Sequence, residues 1–149
     1  MNNKRSPLKA GMVSFGLTAM ILISGPAQTF ADSFLVIASR NVPNSTLSRA
    51  EIRDIFLGKK RTWKNNRAIQ LTLLEDGTTS IDFLQNVIGQ TPAQFDRHWT
   101  EWVANGKAAL PPTFNESHQI VDYVATHPNA IGVISADKAN GSVKVITIK

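Results

Sequence analysis

The sequence predicts an α/β domain in which a small sheet carries helices on both of its faces. Strand-like and helix-like segments alternate along the chain, which is the order typical of α/β folds. Two short runs, Phe34–Ala38 and Ala130–Ser135, are almost continuously apolar. Such runs indicate strands that are buried on both faces. Between them lie amphipathic segments that begin at good capping residues, so we expect helices to cover the sheet.

The first 31 residues are expected to be a secretory signal peptide. Three basic residues precede an uncharged and mostly apolar run, Ala10–Gly25, and the segment ends at Ala31 in a small-x-small pattern. Cleavage after Ala31 would leave residues 32–149 as one domain, located in the periplasm or secreted. An uncleaved membrane anchor is the alternative, although the apolar run is short for a membrane span.

The charge of the predicted mature chain is nearly balanced. The leader holds three of the sixteen basic residues and none of the eleven acidic residues. The remaining thirteen basic residues therefore give a formal charge of only +2, which does not indicate nucleic-acid binding. The chain has no cysteine, which excludes a disulfide scaffold and thiol chemistry.

Capping signals predict where the helices begin and end. Ser48 and Glu51 form a capping box ahead of an apolar stripe, and Gly58 ends this first helix. The second helix is expected to have Thr79 as its N-cap and Asp82 at the capping-box position. The other predicted elements are a strand at Ile69–Leu74, a helix starting at Thr91-Pro92 and closed by Gly106, a helix from about Glu116 to Thr126, and a terminal strand at Ser142–Lys149.

The segment Gly77–Ser80 is the strongest candidate for a binding site. A strand ends, a glycine opens a turn, and three hydroxyl residues lead into a helix. Free backbone N–H groups and hydroxyls at the positive end of a helix can bind an oxyanion. Glu75 and Asp76 oppose this interpretation because carboxylates repel an anion. The alternative is an ordinary helix start without a ligand.

A second feature is the basic segment Arg49–Arg67, which holds seven lysines and arginines. A solvated helix face and loop is the interpretation we favour. A surface for a protein partner or an anionic lipid headgroup is the functional alternative, and nucleic acid is not expected for an exported chain.

The sequence offers no residues for catalysis, so we expect no enzymatic activity, no metal and no cofactor. The three histidines lack metal-ligand spacing, and Ser135 lacks the second glycine of a nucleophile elbow. Trp99 and Trp102 could stack on a ligand, but their helical spacing favours a place in the core.

Four sequence stretches together carry a resemblance to one family. In chain order they are LSRAEIRDIFLGKKRTW, LLEDGTTSIDFL, WVANGK and HPNAIGVIS. The first resembles the helix, FxGK and tryptophan segment of the phosphate-binding proteins of ABC importers, a branch of the type II periplasmic binding-protein family. The second falls where that family has its Ser-Gly-Thr phosphate loop, and the last resembles its GAIGYV strand. The resemblance spans about Phe34 to Lys149 and implies a PstS-like fold.

The resemblance covers only the second of the family's two lobes and the strand leading into it. It therefore implies a single lobe with a small mixed sheet and helices on both faces. Family members hold their ligand in the cleft between the lobes, so half of the usual ligand contacts have no counterpart. Gly77 and either Thr78 or Thr79 match the glycine and threonine of the phosphate loop. Leu74 and Glu75 stand where the larger members carry an arginine.

The leading hypothesis is an exported solute-binding-like protein that binds phosphate or another small oxyanion for an ABC-type uptake system. The alternative is an envelope scaffold without a ligand, whose open face contacts a membrane transporter or another envelope protein. A homodimer would reconcile the two by rebuilding a cleft from two lobes. The candidate ligand-binding residues are Gly77, Thr78, Thr79 and Ser80, with Arg40, at the end of the first strand, as a source of positive charge.

Overall fold

The computed structural model describes residues 33–75 and 77–149, so the predicted leader lies outside the described residues. The described strands are β1 (Phe34–Ala38), β2 (Thr46–Leu47), β3 (Gln70–Leu71), β4 (Leu73–Leu74), β5 (Thr113–Phe114), β6 (Ala130–Ser135), β7 (Lys144–Val145) and β8 (Thr147–Ile148). The α-helices are α1 (Arg49–Phe56), α2 (Thr78–Phe83), α3 (Pro92–Ala104) and α4 (Ser117–Thr126); α2 continues as a π-helical turn, Leu84–Ile88, and β6 continues as a 3₁₀ turn, Ala136–Lys138.

The main sheet is mixed and has the strand order β3-β6-β1-β7. Strand β6 runs antiparallel to β1, with Phe34 opposite Ser135 and Ala38 opposite Ile131. Strand β3 is parallel to β6, and β7 is antiparallel to β1. We call the end of the sheet where β6 finishes and β1 starts the Ser135 end, and the opposite one the Ala130 end. Two parallel pairs, β2 with β8 and β4 with β5, extend the structure beyond this sheet.

Helices cover both faces of the sheet, as predicted. Val36 and Ala38 of β1 belong to a buried cluster with side chains from α1, α2 and α3. Ile37, between them in sequence, belongs to a second cluster with the apolar face of α4. Because neighbouring side chains in a strand point to opposite faces, these clusters lie on opposite sides of the sheet.

Two predicted strands are each interrupted where the chain changes its pairing partner. The predicted strand Ile69–Leu74 divides at the buried Thr72, because β3 pairs with β6 whereas β4 pairs with β5. The N–H of Thr72 still donates to the carbonyl of Ile131, at 2.9 Å. The terminal strand divides at Ile146, whose side chain is buried and whose N–H donates to the Val36 carbonyl, also at 2.9 Å.

The start of α2 differs from the prediction that Thr79 is its N-cap. The N-cap is Gly77, and the helix begins at Thr78. A capping box is not possible here, because the N-cap is a glycine and the N3 residue is Ser80. The Asp82 carboxylate instead accepts a hydrogen bond from the Ser33 hydroxyl at 2.5 Å. This bond ties α2 to the start of β1.

The start of α1 is stabilised by the predicted capping box. The Ser48 hydroxyl accepts from the Glu51 N–H at 3.1 Å, and the Glu51 carboxylate accepts from the Ser48 N–H at 3.0 Å. Lys60 lies 2.8 Å from the same carboxylate. The hydrogen bond from Lys60, followed by that from the Ser48 backbone, lowers the pKa of Glu51 from 4.5 to about 2.

We expect Glu51→Gln to lower the free energy of unfolding at pH 7, because the substitution removes the ion pair with Lys60. The loss should be only about 1 kcal/mol, because both side chains are partly exposed and the solvent screens their charges. The folded-state pKa lies below the unfolded one, so the stabilisation is present above pH 4.5 and is lost as the pH falls towards 2. The variant should therefore lose less stability than the parent across that window. Urea unfolding at several pH values measures this, with Glu101→Gln as the control; equal pH dependence of Glu51→Gln and the parent would contradict the assignment.

Candidate functional site

The turn before α2 lies near the Ser135 end of the sheet. It follows β4 and leads into α2, whose Asp82 is hydrogen-bonded to Ser33, the residue preceding β1. The residues on its two sides are therefore anchored, β4 by its pairing with β5 and α2 by its bond to Ser33.

Gly77 adopts a backbone conformation that other residues rarely adopt, and it leaves the backbone of this turn without a side chain to cover it. Its φ of 92° and ψ of 167° are in a region that is essentially restricted to glycine. Among the described residues other than its chain neighbours, no atom lies within 4 Å of a Cβ placed on Gly77. The backbone can therefore be approached closely from solvent at this point.

Backbone donors are available at the start of α2. The N–H of Ile81 makes the first helical bond, to the Gly77 carbonyl at 3.1 Å, so the amides of Thr78, Thr79 and Ser80 precede the helical ladder. No side chain among the described residues caps this helix. Thr78 is exposed, and Thr79 and Ser80 are partly exposed. The arrangement suits an oxyanion that accepts several hydrogen bonds at once.

The charges around the turn are less favourable to an anion. Glu75 is exposed, and its N–H donates to the Phe114 carbonyl at 2.8 Å, which fixes the residue at the end of β4. Its carboxylate charge lies two residues before Gly77. An anion at this turn would depend on hydrogen bonds from neutral groups.

Arg40 is separated from the other four candidate residues. It follows the C-terminal end of β1, and the N–H of its neighbour Ser39 donates to the Ala130 carbonyl at 2.9 Å. Its guanidinium donates to the carbonyl of Gly141. Because β1 is antiparallel to β6, Arg40 lies at the Ala130 end of the sheet, whereas Gly77 lies at the Ser135 end. The structure brings Gly77, Thr78, Thr79 and Ser80 together but does not bring Arg40 to them.

A cavity of about 680 Å³ lies beside this turn, among α2, α3, β4 and β5. Ser80 lines it together with Phe95, Trp99 and Val103, which recur at helical spacing along α3. Val103 and Leu110 are 40% and 61% exposed, so apolar surface remains open to solvent here. This cavity was not predicted from the sequence. The feature of the sequence that could have indicated it is the apolar stripe of α3, which continues to Val103, a residue that remains 40% exposed.

Two of the three histidines contact backbone carbonyls within the fold. A ring nitrogen of His98, Nε2, is 2.8 Å from the Leu57 carbonyl, and Nδ1 of His127 is 2.8 Å from the Tyr123 carbonyl. Among residues 33–75 and 77–149, no group of three or more metal-ligating side chains is close enough to hold a metal ion. Within the same ranges, no helix combines the length and apolar character of a membrane span.

The two tryptophans of α3 differ in burial. Trp99 is 4% exposed and its indole N–H donates to the Phe56 carbonyl at 3.2 Å, which confirms its predicted place in the core. Trp102 is only partly buried against the same cluster. Its ring centroid lies 4.8 Å from that of His98, and the ammonium of Lys107 is 4.6 Å from its ring.

Part of the basic segment is engaged within the fold. Arg49 and Arg61 donate to backbone carbonyls of residues distant in sequence, and Lys60 pairs with the capping glutamate of α1. Lys64 and Arg67 are exposed in the loop before β3. These contacts agree with the favoured interpretation of a helix face and loop.

Solved structures with a similar fold are known. A protein described as a phosphate ABC transporter substrate-binding protein from Clostridium perfringens, solved with bound phosphate, has a TM-score of 0.61 and 25% sequence identity, over 78% of this chain and 45% of that chain. An ABC-type phosphate transport receptor from Vibrio cholerae has a TM-score of 0.60 and 17% identity, over 78% and 46%. PstS from Borrelia burgdorferi has a TM-score of 0.59 and 14% identity, over 79% and 47%.

No protein-family model and no curated protein matches this sequence. The chain spans less than half the length of the three solved proteins. Together with the mixed sheet and its two helical layers, the comparisons confirm the predicted fold class, a single lobe of the type II periplasmic binding-protein fold.

Proposed function

We propose that this protein is exported after cleavage near Ala31 and that its mature domain, residues 32–149, binds phosphate or another small oxyanion for an ABC-type uptake system. The binding residues are Gly77, Thr78, Thr79 and Ser80. The protein catalyses no reaction in this role. The observation that carries the proposal is the start of α2, where consecutive backbone amides that no described side chain caps adjoin a glycine that permits close approach.

The likeness to solved phosphate-binding proteins supports the choice of ligand class. One of those structures holds phosphate, and this chain shares its fold over 45% of that protein's length. Hydrogen bonds from neutral donors to a charged oxyanion contribute at most about 1.5–3 kcal/mol each, and the exposure of this turn and the charge of Glu75 reduce that contribution. Without an arginine at the turn, three or four such bonds give a dissociation constant on the order of millimolar.

Calorimetric titration of residues 32–149 with phosphate, sulfate and acetate tests the proposal. We expect phosphate to bind saturably at one site, with a dissociation constant on the order of millimolar. Thr79→Val preserves the shape of the side chain and removes its hydroxyl, so it should weaken binding by roughly twofold to tenfold. A flat trace for all three anions at high protein concentration would overturn the proposal.

A pair of glycine variants separates the turn from general effects on folding. Gly77→Ala forces a side chain into a conformation that L residues rarely adopt, so it should abolish phosphate binding. Gly106→Ala, after α3, is the matched control, because Gly106 also has a positive φ, of 67°, and open space around its Cβ position. If both variants lose binding equally, the effect is not specific to the turn.

A scaffold without a ligand is the second candidate function. It is favoured by the basic surface that the exposed residues Lys64 and Arg67 form in the loop before β3. A membrane transporter or another envelope protein would then occupy the open face. Cross-linking in envelope extracts should trap one discrete partner, and sedimentation would reveal a homodimer; recovery of monomer alone in both experiments would exclude this candidate.

A further inference from the structure

We propose that the cavity among α2, α3, β4 and β5 is a binding site for a small organic cation with an apolar body, such as a protonated arylalkylamine. The cavity shares Ser80 with the turn Gly77–Ser80, which we call the oxyanion turn, but the proposed ligand has the opposite charge. The proposal rests on the size of the cavity, the apolar character of its walls and the sign of the charges at its surface.

The size and walls of the cavity suit a small organic molecule. Its volume of about 680 Å³ lies within the range of about 300–1,000 Å³ that small-molecule sites occupy. The rings of Phe83, Phe95 and Trp99 form part of the wall. Val103 and Leu110 extend this apolar surface into solvent. A ligand with an aromatic or aliphatic body would bury that surface, which favours binding.

The charges of the cavity select a cation. Glu75, at the end of β4, and Asp96, in the first half of α3, are the charged side chains of its described wall. Both are exposed, and within the described residues neither takes part in a salt bridge. Their carboxylates therefore leave a negative potential at an apolar surface, with no lysine or arginine in the described wall to offset it.

Polar groups inside the cavity can orient an ammonium group. The side chains of Ser80, Thr100 and Thr113 belong to the wall, and each hydroxyl can accept a hydrogen bond from an ammonium. An apolar anion would meet repulsion from both carboxylates. A neutral apolar molecule would gain from burial alone. Among ligands that share the same apolar body, we therefore expect the cation to bind most tightly, the neutral molecule less tightly and the anion most weakly.

Three probes with a shared aromatic body test this order: phenethylamine, phenethyl alcohol and phenylacetate. Nuclear magnetic resonance titration of the full domain should show saturable shifts of the Ser80, Thr100 and Thr113 amides. Phenethylamine should bind roughly fivefold to tenfold more tightly than the alcohol at low salt, and phenylacetate most weakly. Equal affinities for the amine and the alcohol, or shifts confined to other residues, would overturn the proposal.

A charge-neutralised variant provides the matched comparison. Glu75→Gln combined with Asp96→Asn should reduce the preference for the amine over the alcohol to less than twofold, while affinity for the alcohol stays unchanged. Glu101→Gln combined with Asp122→Asn removes the same charge from exposed positions outside the cavity wall. An equal loss of preference in the two double variants would show that net charge, and not the cavity, governs binding. Because the probes carry no phosphate, failure here would leave the oxyanion proposal intact.

Discussion

Gly132→Ala is expected to destabilise the protein by about 3 kcal/mol. Introducing extra atoms into a core that has no space for them costs about 1–3 kcal/mol and sometimes more. A Cβ on Gly132 would lie 2.4 Å from Oγ1 of Thr72 and 2.7 Å from Cγ2 of Ile120. Both neighbours are fully buried, so neither side chain can withdraw into solvent.

The position of Gly132 leaves no route for relaxation by the backbone. It lies in β6, which pairs with β1 on one side and β3 on the other, and helices cover both faces of this sheet. A loss of about 3 kcal/mol is a large share of the 5–15 kcal/mol that stabilises a typical domain. The melting temperature should fall by roughly 10 °C, which circular dichroism measures.

Gly141→Ala is the control for the loss of a glycine. Gly141 is exposed, and the nearest atom to its Cβ position is Nη2 of Arg40, at 3.9 Å. Its free energy of unfolding should change by less than about 0.5 kcal/mol, as is usual at the surface. Combining Gly132→Ala with Thr72→Ala should recover part of the stability, because the nearer clash is removed. A Gly132 variant as stable as the Gly141 variant would show that the sheet can spread at this point.

The sequence predicted helix starts correctly where the signal is local. The capping boxes that begin with Ser48 and Thr91 involve residues three positions apart, so their geometry is encoded within one turn. At α2 the same logic failed. Three consecutive hydroxyl residues offered equivalent caps, and Asp82, which would have completed the box, is bonded to Ser33, 49 residues away.

Long-range arrangements were out of reach for the same reason. The separation of Arg40 from the turn depends on the antiparallel pairing of β1 with β6, which no local pattern specifies. The division of the predicted strand at Thr72 likewise follows from two different pairing partners. The cavity beside Ser80 depends on the space between α3 and the β4–β5 pair. The sequence therefore indicated a turn ahead of a helix at Gly77–Ser80, but it did not specify which residues lie near that turn in space.

Trp63→Ala is the second change expected to have a large effect, about 3–5 kcal/mol, which is typical of truncating a buried tryptophan. Trp63 is 2% exposed and belongs to the main core cluster, although it lies in the loop between α1 and β3. Its indole N–H donates to the Asn129 carbonyl at 3.0 Å. The side chain thus anchors that loop to the residue preceding β6. Its removal leaves a cavity and deletes one of the two hydrogen bonds that the Asn129 carbonyl accepts, the other coming from the Gln70 N–H at 3.0 Å.

Two further variants divide this effect into its parts. Trp63→Phe retains an aromatic ring but loses the donor. Because the Asn129 carbonyl still accepts from the Gln70 N–H, we expect a loss of about 1–2 kcal/mol, from one hydrogen bond and a smaller ring. Trp102→Ala removes a ring that is only partly buried and whose Nε1 has no hydrogen-bond partner among the described residues, so its cost should be the smallest of the three. Urea unfolding followed by circular dichroism ranks the variants without relying on tryptophan fluorescence. If Trp102→Ala costs as much as Trp63→Ala, ring burial and the Asn129 bond do not account for the stability of the loop. The expected ranking would instead show that contacts at the Ala130 end of the sheet hold the loop between α1 and β3 in place. Because the turn Gly77–Ser80 lies at the opposite end, any loss of anion binding in the Trp63 variants would then reflect a loss of folding.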